Sequence, residues 1–114
     1  MTIREIVSAV HGEVVCGADR LDENVEYAFA SDLMSDVLTI KIDGFLLITG
    51  LANVQSVRTA EMSDVRYLLF ARGKEVTGEM RTLAEDNGMV VIKTDYSIFK
   101  TSGILYGAGL KPVY

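Results

Sequence analysis

Small polar side chains suited to ligand binding follow a short apolar segment in the first third of the chain. Residues 27–30 read Tyr-Ala-Phe-Ala and lead into Ser31 and Asp32, after which a helical pattern begins. In α/β proteins a ligand commonly lies where a strand ends and a helix starts, because the helix offers free N–H groups and the positive end of its dipole. The sequence therefore predicts ligand binding by Ser31 and Asp32. The alternative interpretation is local: Ser31 caps the helix, and Asp32 complements its dipole.

Three later apolar segments end in the same manner. Residues 45–48, 66–70 and 89–92 are followed by Thr49-Gly50, by Arg72-Gly73 and by Thr94. Hydroxyl groups, glycine backbone and a guanidinium group are suited to hold a phosphate or a carboxylate, although the same residue types also form ordinary turns and caps. The predicted ligand-binding residues are Ser31, Asp32, Thr49, Gly50, Arg72, Gly73 and Thr94. We expect the ligand to be a small anionic metabolite, such as a nucleotide or another phosphorylated compound.

These residues need a framework that brings separated strand ends together. Solidly apolar segments alternate with helical patterns along the chain. This alternation predicts an α/β fold, a three-layer α/β/α sandwich around a mainly parallel sheet of about five short strands. The predicted strands are residues 13–16, 25–30, 45–48, 66–70 and 89–92, and the predicted helices are residues 3–10, 31–40, 53–62, 77–86 and 96–106. In such a sheet the carboxyl ends of the parallel strands lie along one edge.

The composition bounds the class of protein. The chain has 114 residues, of which 49 % are hydrophobic, and this size predicts a single domain over residues 1–114. The net charge is −5, and the Lys and Arg residues are scattered, so nucleic acid and anionic membrane surfaces are excluded as partners. No apolar run approaches the ~20 residues that cross a bilayer, and the N-terminus lacks the order of a signal peptide. We therefore expect a soluble, cytoplasmic protein.

The chain lacks complete catalytic and cofactor signatures. A single cysteine, Cys16, and a single histidine, His11, exclude an internal disulfide, a thiolate metal cluster and a multi-histidine metal site. Neither a G-x-x-x-x-G-K-[ST] phosphate loop nor a G-x-G-x-x-G dinucleotide motif occurs. We expect a non-catalytic domain without a cofactor, in which Cys16 is a buried thiol and His11 lies at a helix end. The alternative of a metal-assisted hydrolase would use Asp32 and Asp36.

The last predicted helix is apolar on more than one face. Its large apolar residues are Phe99, Ile104, Leu105 and Tyr106. A helix of this kind is either enclosed in the core or covered by a partner. We interpret these residues as a homodimer contact. The alternative is that a larger redox or metabolic enzyme docks on the same helix.

Three segments together resemble the DRTGG domain, and in particular its small stand-alone versions. They are residues 28–33, residues 45–50 and residues 94–103, the last of which read Thr-Asp-Tyr-Ser-Ile-Phe-Lys-Thr-Ser-Gly. The resemblance implies a fold similar to the N-terminal domain of HPr kinase/phosphorylase and an accessory or regulatory domain that dimerises. DRTGG domains accompany CBS domains in some phosphotransacetylases and inorganic pyrophosphatases. Stand-alone members are often encoded beside iron-only hydrogenase genes, which implies a hydrogenase-associated enzyme as a partner.

The chain departs from the residues that give this family its name. The Asp-Arg-Thr-Gly-Gly set comes from two strand ends, and the first of these reads Ile-Thr-Gly-Leu-Ala-Asn over residues 48–53 here, without the Asp-Arg pair. The second reads Phe-Ala-Arg-Gly-Lys over residues 70–74 and keeps Gly73. The resemblance therefore transfers no catalytic residue to this chain.

Overall fold

The computed structural model describes residues 1–114 of the chain. Helices and strands alternate in the order that the apolar segments predict. The helices are α1 (Ile3–Ala9), α2 (Met34–Val37), α3 (Val54–Met62), α4 (Gly78–Asp86) and α5 (Ile98–Gly107). The strands are β1 (Glu13–Cys16), β2 (Tyr27–Ala30), β3 (Leu46–Thr49), β4 (Tyr67–Phe70), β5 (Val90–Lys93) and β6 (Lys111–Pro112), and a 3₁₀ turn spans Ala18–Arg20.

The strands form one mixed sheet in the order β1-β5-β4-β3-β2-β6. Only β1 runs antiparallel to its neighbour, and all other pairs are parallel. The carboxyl ends of β2, β3, β4 and β5 therefore lie side by side along one edge of the sheet. The predicted α/β class with a mainly parallel sheet is confirmed.

Alternate strand residues point to opposite faces of the sheet and build two apolar clusters. Leu46 and Ile48 pack in a first cluster beneath α1 and α5, together with Leu69. Leu47 and Leu68 pack in a second cluster beneath α2, α3 and α4. Burial on both faces explains why these strands are apolar at every position. The three-layer sandwich is confirmed by this arrangement.

Polar residues cap the start of four of the five helices. The Thr2 hydroxyl accepts the Glu5 N–H at 3.1 Å, while Glu5 Oε1 accepts the Thr2 N–H at 2.9 Å, which is a reciprocal capping box. Asn53 begins α3 in the same way, because its Oδ1 accepts the Ser56 N–H at 2.8 Å. Hydroxyl caps at the other two helices are supplied by Thr77 for α4 and Ser97 for α5. These caps satisfy backbone N–H groups that have no partner within the helix.

The same four helices end in a common turn. After each helix one residue has a left-handed backbone, and these residues are His11, Asp64, Gly88 and Gly109. The next residue then donates its N–H back into the helix, as Gly12 does to the Val7 carbonyl oxygen at 2.8 Å and Val65 does to that of Ala60 at 2.8 Å. This is the Schellman arrangement, in which glycine is the favoured left-handed residue.

The structure differs from the predicted elements at two places. Ser31 does not cap α2, because its hydroxyl accepts the Leu33 N–H at 3.0 Å and the helix begins only at Met34 after Leu33. Its own N–H continues the sheet and donates to the Ile48 carbonyl oxygen at 3.0 Å. The prediction of about five strands missed β6, which has only two residues and is held by the Lys111 N–H on the Glu26 carbonyl oxygen at 3.0 Å.

None of the helices has the length and apolar character needed to cross a membrane.

Candidate functional site

The parallel sheet brings the predicted strand-end residues to one edge. Asp32 follows β2, Gly50 follows β3, Arg72 follows β4 and Thr94 follows β5. Neighbouring strands lie roughly 4.8 Å apart, so residues at adjacent strand ends are within reach of one another. The structure places these residues along a single edge of the sheet, as expected. Their ligand-binding role stays a prediction.

Asp32 is held in place by the neighbouring strand end. Its Oδ1 accepts the Thr49 hydroxyl at 2.9 Å and the Gly50 N–H at 2.7 Å. The Thr49 side chain is buried, and its oxygen also accepts the Leu51 N–H at 3.1 Å. Thr49 therefore positions the Asp32 carboxylate. The second carboxylate oxygen of Asp32, Oδ2, forms no hydrogen bond within the protein and belongs to an exposed residue.

Arg72 approaches the same glycine from the opposite side. Its Nη2 donates to the Gly50 carbonyl oxygen at 3.2 Å. A Cβ added at Gly50 would lie 2.5 Å from Arg72 Nε, so position 50 needs glycine for this close approach. The backbone of Gly50 thus lies between a carboxylate on its nitrogen side and a guanidinium group on its oxygen side.

The backbone of Arg72 has an uncommon conformation. Its φ is 67°, in the left-handed region that residues other than glycine rarely occupy, and Gly73 follows with a φ of 66°. The Arg72 N–H donates to the Tyr96 carbonyl oxygen at 2.8 Å, and the Gly73 N–H donates to that of Thr94 at 2.9 Å. Both N–H groups therefore tie the end of β4 to the segment after β5. They are engaged within the protein and do not face a ligand.

Thr94 also has a structural role at this edge. Its side chain is buried, its hydroxyl donates to the Val10 carbonyl oxygen at 2.7 Å, and its oxygen accepts the Tyr96 N–H at 3.2 Å. Ser31 is engaged with Leu33. Among the predicted ligand residues, Asp32 and Arg72 are therefore the exposed side chains that retain unused hydrogen-bonding atoms.

Residues after β5 extend the edge beyond the predicted set. Lys100 Nζ lies 3.8 Å from the centre of the Tyr96 ring, and the His11 ring lies 5.7 Å from that ring. A cavity of about 70 Å³ lies next to them, lined by His11, Glu13, Lys93, Thr94 and Asp95. Sequence reasoning left out Tyr96 and Lys100, which lie between the end of β5 and the first turn of α5. No cavity is lined by Asp32, Gly50 or Arg72, so those residues form an open surface.

The predicted contact residues of α5 divide between core and surface. Leu105 is only 1 % exposed and belongs to the first apolar cluster, against which Ile104 also packs. Leu105 therefore contributes to folding and offers no surface to a partner. Phe99 and Tyr106 are 89 % and 69 % exposed. Tyr106 borders an apolar groove of about 100 Å³ between α5 and the β2–β6 side of the sheet.

The other residues considered for chemistry are Cys16, His11 and Asp36. Cys16 is buried, as predicted, and burial raises the pKa of its thiol above the ordinary value. His11 lies directly after α1, as predicted, with a φ of 50°. No group of three or more His, Cys, Asp or Glu side chains is arranged to hold a metal ion. Asp36 lies in α2 and is exposed.

Comparison with solved structures identifies a related fold. The chain is similar to a crystal structure of the CBS and DRTGG domains of the regulatory region of the Clostridium perfringens pyrophosphatase, complexed with its activator diadenosine tetraphosphate. The TM-score is 0.75 at 19 % sequence identity, and the match covers 98 % of this chain and 48 % of that chain. The chain therefore spans about half the length of the protein that it matches. At this identity the likeness establishes the fold.

Comparison of sequences identifies the family. No curated protein matches the chain. The model of the DRTGG domain matches residues 5–108, which is nearly the whole chain. The family suggested by residues 28–33, 45–50 and 94–103 is thereby confirmed, and the chain belongs to the DRTGG domain family.

Proposed function

We propose that this DRTGG domain is a non-catalytic regulatory domain that binds a small anionic ligand at the carboxyl edge of its sheet. The observation that carries the proposal is the conformation of Arg72. A left-handed backbone costs a residue with a side chain roughly 1 kcal/mol or more, and such strain is concentrated at functional sites. Arg72 serves no helix end, unlike His11 and Asp64, so capping does not account for its conformation.

The guanidinium group of Arg72 has the capacity to bind an anion. It donates one hydrogen bond within the protein, from Nη2 to Gly50, and its residue is exposed. Its remaining N–H groups form the planar fork that binds phosphate and carboxylate groups through paired hydrogen bonds. Because the surface is open, we expect modest affinity compared with that of an enclosed pocket.

The related structure supports the chemical class of the ligand. The regulatory region of the Clostridium perfringens pyrophosphatase binds diadenosine tetraphosphate, which is a nucleotide polyphosphate. The match covers 48 % of that chain, and analogy of fold is an argument for a class of ligand rather than for one compound. We therefore propose nucleotides and other phosphorylated metabolites as the compounds to examine first.

A thermal-shift experiment tests the proposal. The purified protein is heated with nucleotides, acyl phosphates and phosphorylated sugars, with and without Mg²⁺. A ligand at ~100 times its dissociation constant adds about 2.7 kcal/mol, which raises the melting temperature of a domain of ~100 residues by roughly 10 °C or more. Arg72→Gln should abolish the shift. Arg81→Gln is the matched control, because Arg81 lies on α4 and pairs with Glu85 at 2.7 Å.

Two results would contradict this function. One is a melting temperature that no anionic compound raises. The other is a shift that is equally large in wild type and in Arg72→Gln, since the anion would then bind elsewhere. If Arg81→Gln reduces the ligand-induced shift as much as Arg72→Gln does, the reduction is caused by the loss of one positive charge rather than by the loss of a binding residue.

A second candidate function is protein docking through α5. The exposure of Phe99 and Tyr106 favours it, because the two residues lie seven positions apart on one face of α5 and aromatic side chains are enriched at protein interfaces. The occupant would be a second copy of the chain or a larger redox or metabolic enzyme, such as a hydrogenase-associated protein. Sedimentation velocity of the wild type and of Phe99→Glu tests for a homodimer. A dimeric wild type that dissociates in the variant would support a homodimer through α5, and a monomeric wild type would exclude it.

A further inference from the structure

We propose that the ligand carries vicinal hydroxyl groups beside its phosphate, and that Asp32 accepts hydrogen bonds from them while Arg72 binds the phosphate. This inference rests on the proposed function and names the chemistry that the same site selects. A sugar phosphate and a nucleotide with an intact ribose share this chemistry, because both join a phosphate and hydroxyls on one pentose ring.

The first argument is that only one of the two carboxylate oxygens of Asp32 is hydrogen-bonded within the protein. Oδ1 accepts both donors of the neighbouring strand end, the Thr49 hydroxyl and the Gly50 N–H. These two bonds fix the position of the carboxylate. Oδ2 has no partner within the protein, and the residue is exposed. A fixed carboxylate with one free oxygen is an acceptor that is already oriented, which lowers the entropy cost of binding a hydroxyl group.

The second argument is the spacing of the two charges. Asp32 and Arg72 follow β2 and β4, which lie on either side of β3, so their backbones are roughly 10 Å apart at the ordinary strand spacing. Both side chains turn towards Gly50, yet they form no ion pair with each other. The Arg72 guanidinium lies over Gly50, with its Nε 2.5 Å from where a Cβ would stand, and the Asp32 carboxylate is bonded to the N–H of the same residue. A ligand with two different polar groups can therefore contact both residues on the two sides of this glycine.

The third argument is electrostatic. A bare phosphate that binds Arg72 would also approach the Asp32 carboxylate, and like charges repel at such a distance. Hydroxyl groups placed towards Asp32 replace this repulsion with charge-assisted hydrogen bonds. Carboxylates hold ribose hydroxyls in this manner at the strand ends of dinucleotide-binding folds, which shows that the chemistry is sound. The site should consequently favour a hydroxylated phosphate ester over inorganic phosphate.

Titration calorimetry with four probes tests the inference. The probes are inorganic phosphate, 2-deoxyribose 5-phosphate, ribose 5-phosphate and adenosine monophosphate. In the wild type we expect ribose 5-phosphate to bind at least about tenfold more tightly than 2-deoxyribose 5-phosphate, the effect of losing a hydrogen bond to a charged group. Tighter binding of adenosine monophosphate would assign the ligand to nucleotides, and equal binding would assign it to sugar phosphates.

The variant Asp32→Asn separates the role of the free oxygen from that of the bound oxygen. Its amide oxygen can still accept the Thr49 hydroxyl and the Gly50 N–H, whereas an amino group replaces Oδ2. We expect this variant to bind both pentose phosphates equally, and Arg72→Gln to bind neither. The wild-type comparison of the two pentose phosphates needs no variant, so the inference remains testable if Asp32→Asn fails to fold.

Failure of this inference is distinguishable from failure of the proposed function. Equal affinity for the two pentose phosphates in the wild type, with binding still lost in Arg72→Gln, would overturn the role of Asp32 and leave the anion site intact. A preference for ribose 5-phosphate that persists in Asp32→Asn would also overturn the proposed role of Asp32. Absence of binding by every probe would overturn both proposals.

Discussion

Three residues that are not glycine have a left-handed backbone, and the reasons differ. His11 and Asp64 follow the ends of α1 and α3, where the Schellman turn requires this conformation whatever residue is present. Arg72 follows a strand, and its side chain lies against Gly50. At the scale of single residues, the first two conformations belong to folding, and the third is the one on which the proposed ligand site rests.

The variant Arg72→Gly should separate stability from binding. Glycine adopts a φ of 67° without strain, while the hydrogen bond to Gly50 is lost, so we expect the free energy of unfolding to stay unchanged or to rise by up to about 1 kcal/mol. Ligand binding should be abolished. Urea denaturation and the thermal-shift assay measure the two properties. A loss of stability above about 1 kcal/mol would show that the arginine is retained for folding.

The variant His11→Gly should stabilise the protein by roughly 0.5–1 kcal/mol, because glycine relieves the left-handed strain after α1. Gly88→Ala is the reciprocal control, since it places a side chain at the equivalent position after α4, where φ is 65°. It should lower the free energy of unfolding by a similar amount. Changes of the same sign in both variants would contradict the interpretation of these turns.

At the scale of the elements, local capping decides where the helices begin. The capping box of α1 joins Thr2 and Glu5, and hydrogen bonds from the Thr2 backbone and then from its hydroxyl hold the pKa of the Glu5 carboxyl below its ordinary value of 4.5. By contrast, α2 has no side-chain cap and extends for only one turn, Met34–Val37. The presence of a suitable cap thus separates the longer helices from the shortest.

Glu5 should make the stability of the protein depend on pH in acid. Its carboxyl has a lowered pKa in the folded state, so the stabilisation is present above the ordinary value of 4.5 and is lost as the pH falls through the folded-state value. Glu5→Gln should flatten the dependence of the unfolding free energy on pH in that window. Glu75→Gln, at an exposed glutamate, is the control. An identical acid profile in wild type and Glu5→Gln would exclude this contribution.

At the scale of the whole molecule, one sheet serves as the common wall of two apolar clusters. The neighbouring residues Leu68 and Leu69 of β4 are both fully buried, but Leu68 packs beneath α3 and α4 while Leu69 packs beneath α1 and α5. Because every central strand contributes to both clusters, neither cluster can form without the sheet. The two halves of the sandwich therefore depend on each other.

Leu68→Ala and Leu69→Ala should each lower the free energy of unfolding by roughly 2–5 kcal/mol, a large part of the total of ~5–15 kcal/mol for a domain. Both variants should unfold in one transition that is the same by circular dichroism and by tyrosine fluorescence. If either variant unfolds in two separate transitions, the two clusters fold independently.

Features that depend on neighbouring residues could be predicted from the sequence alone. The apolar segments identified β1 to β5, and the helical patterns placed the starts of α1, α3 and α4 within one residue of the observed starts. The structure shows caps at these starts, Thr2, Asn53 and Thr77, whose hydrogen bonds to nearby backbone groups are local. Ser31 shows the limit of this reasoning. As a residue type it suits a cap, but pairing with β3 continues through Ser31, so α2 begins only at Met34, which a local pattern does not reveal.

Which strand-end residues face the solvent follows from contacts between distant parts of the chain. Thr94 and Val10 are bonded across 84 positions, and Thr49 and Asp32 across 17, so their hydroxyls are engaged by residues that the sheet order brings close. The same order sets Gly50 between Asp32 and Arg72. Contacts between distant residues depend on the order and direction of the strands, which short apolar segments leave open. The sequence therefore located the edge, and the fold selected Asp32 and Arg72 within it.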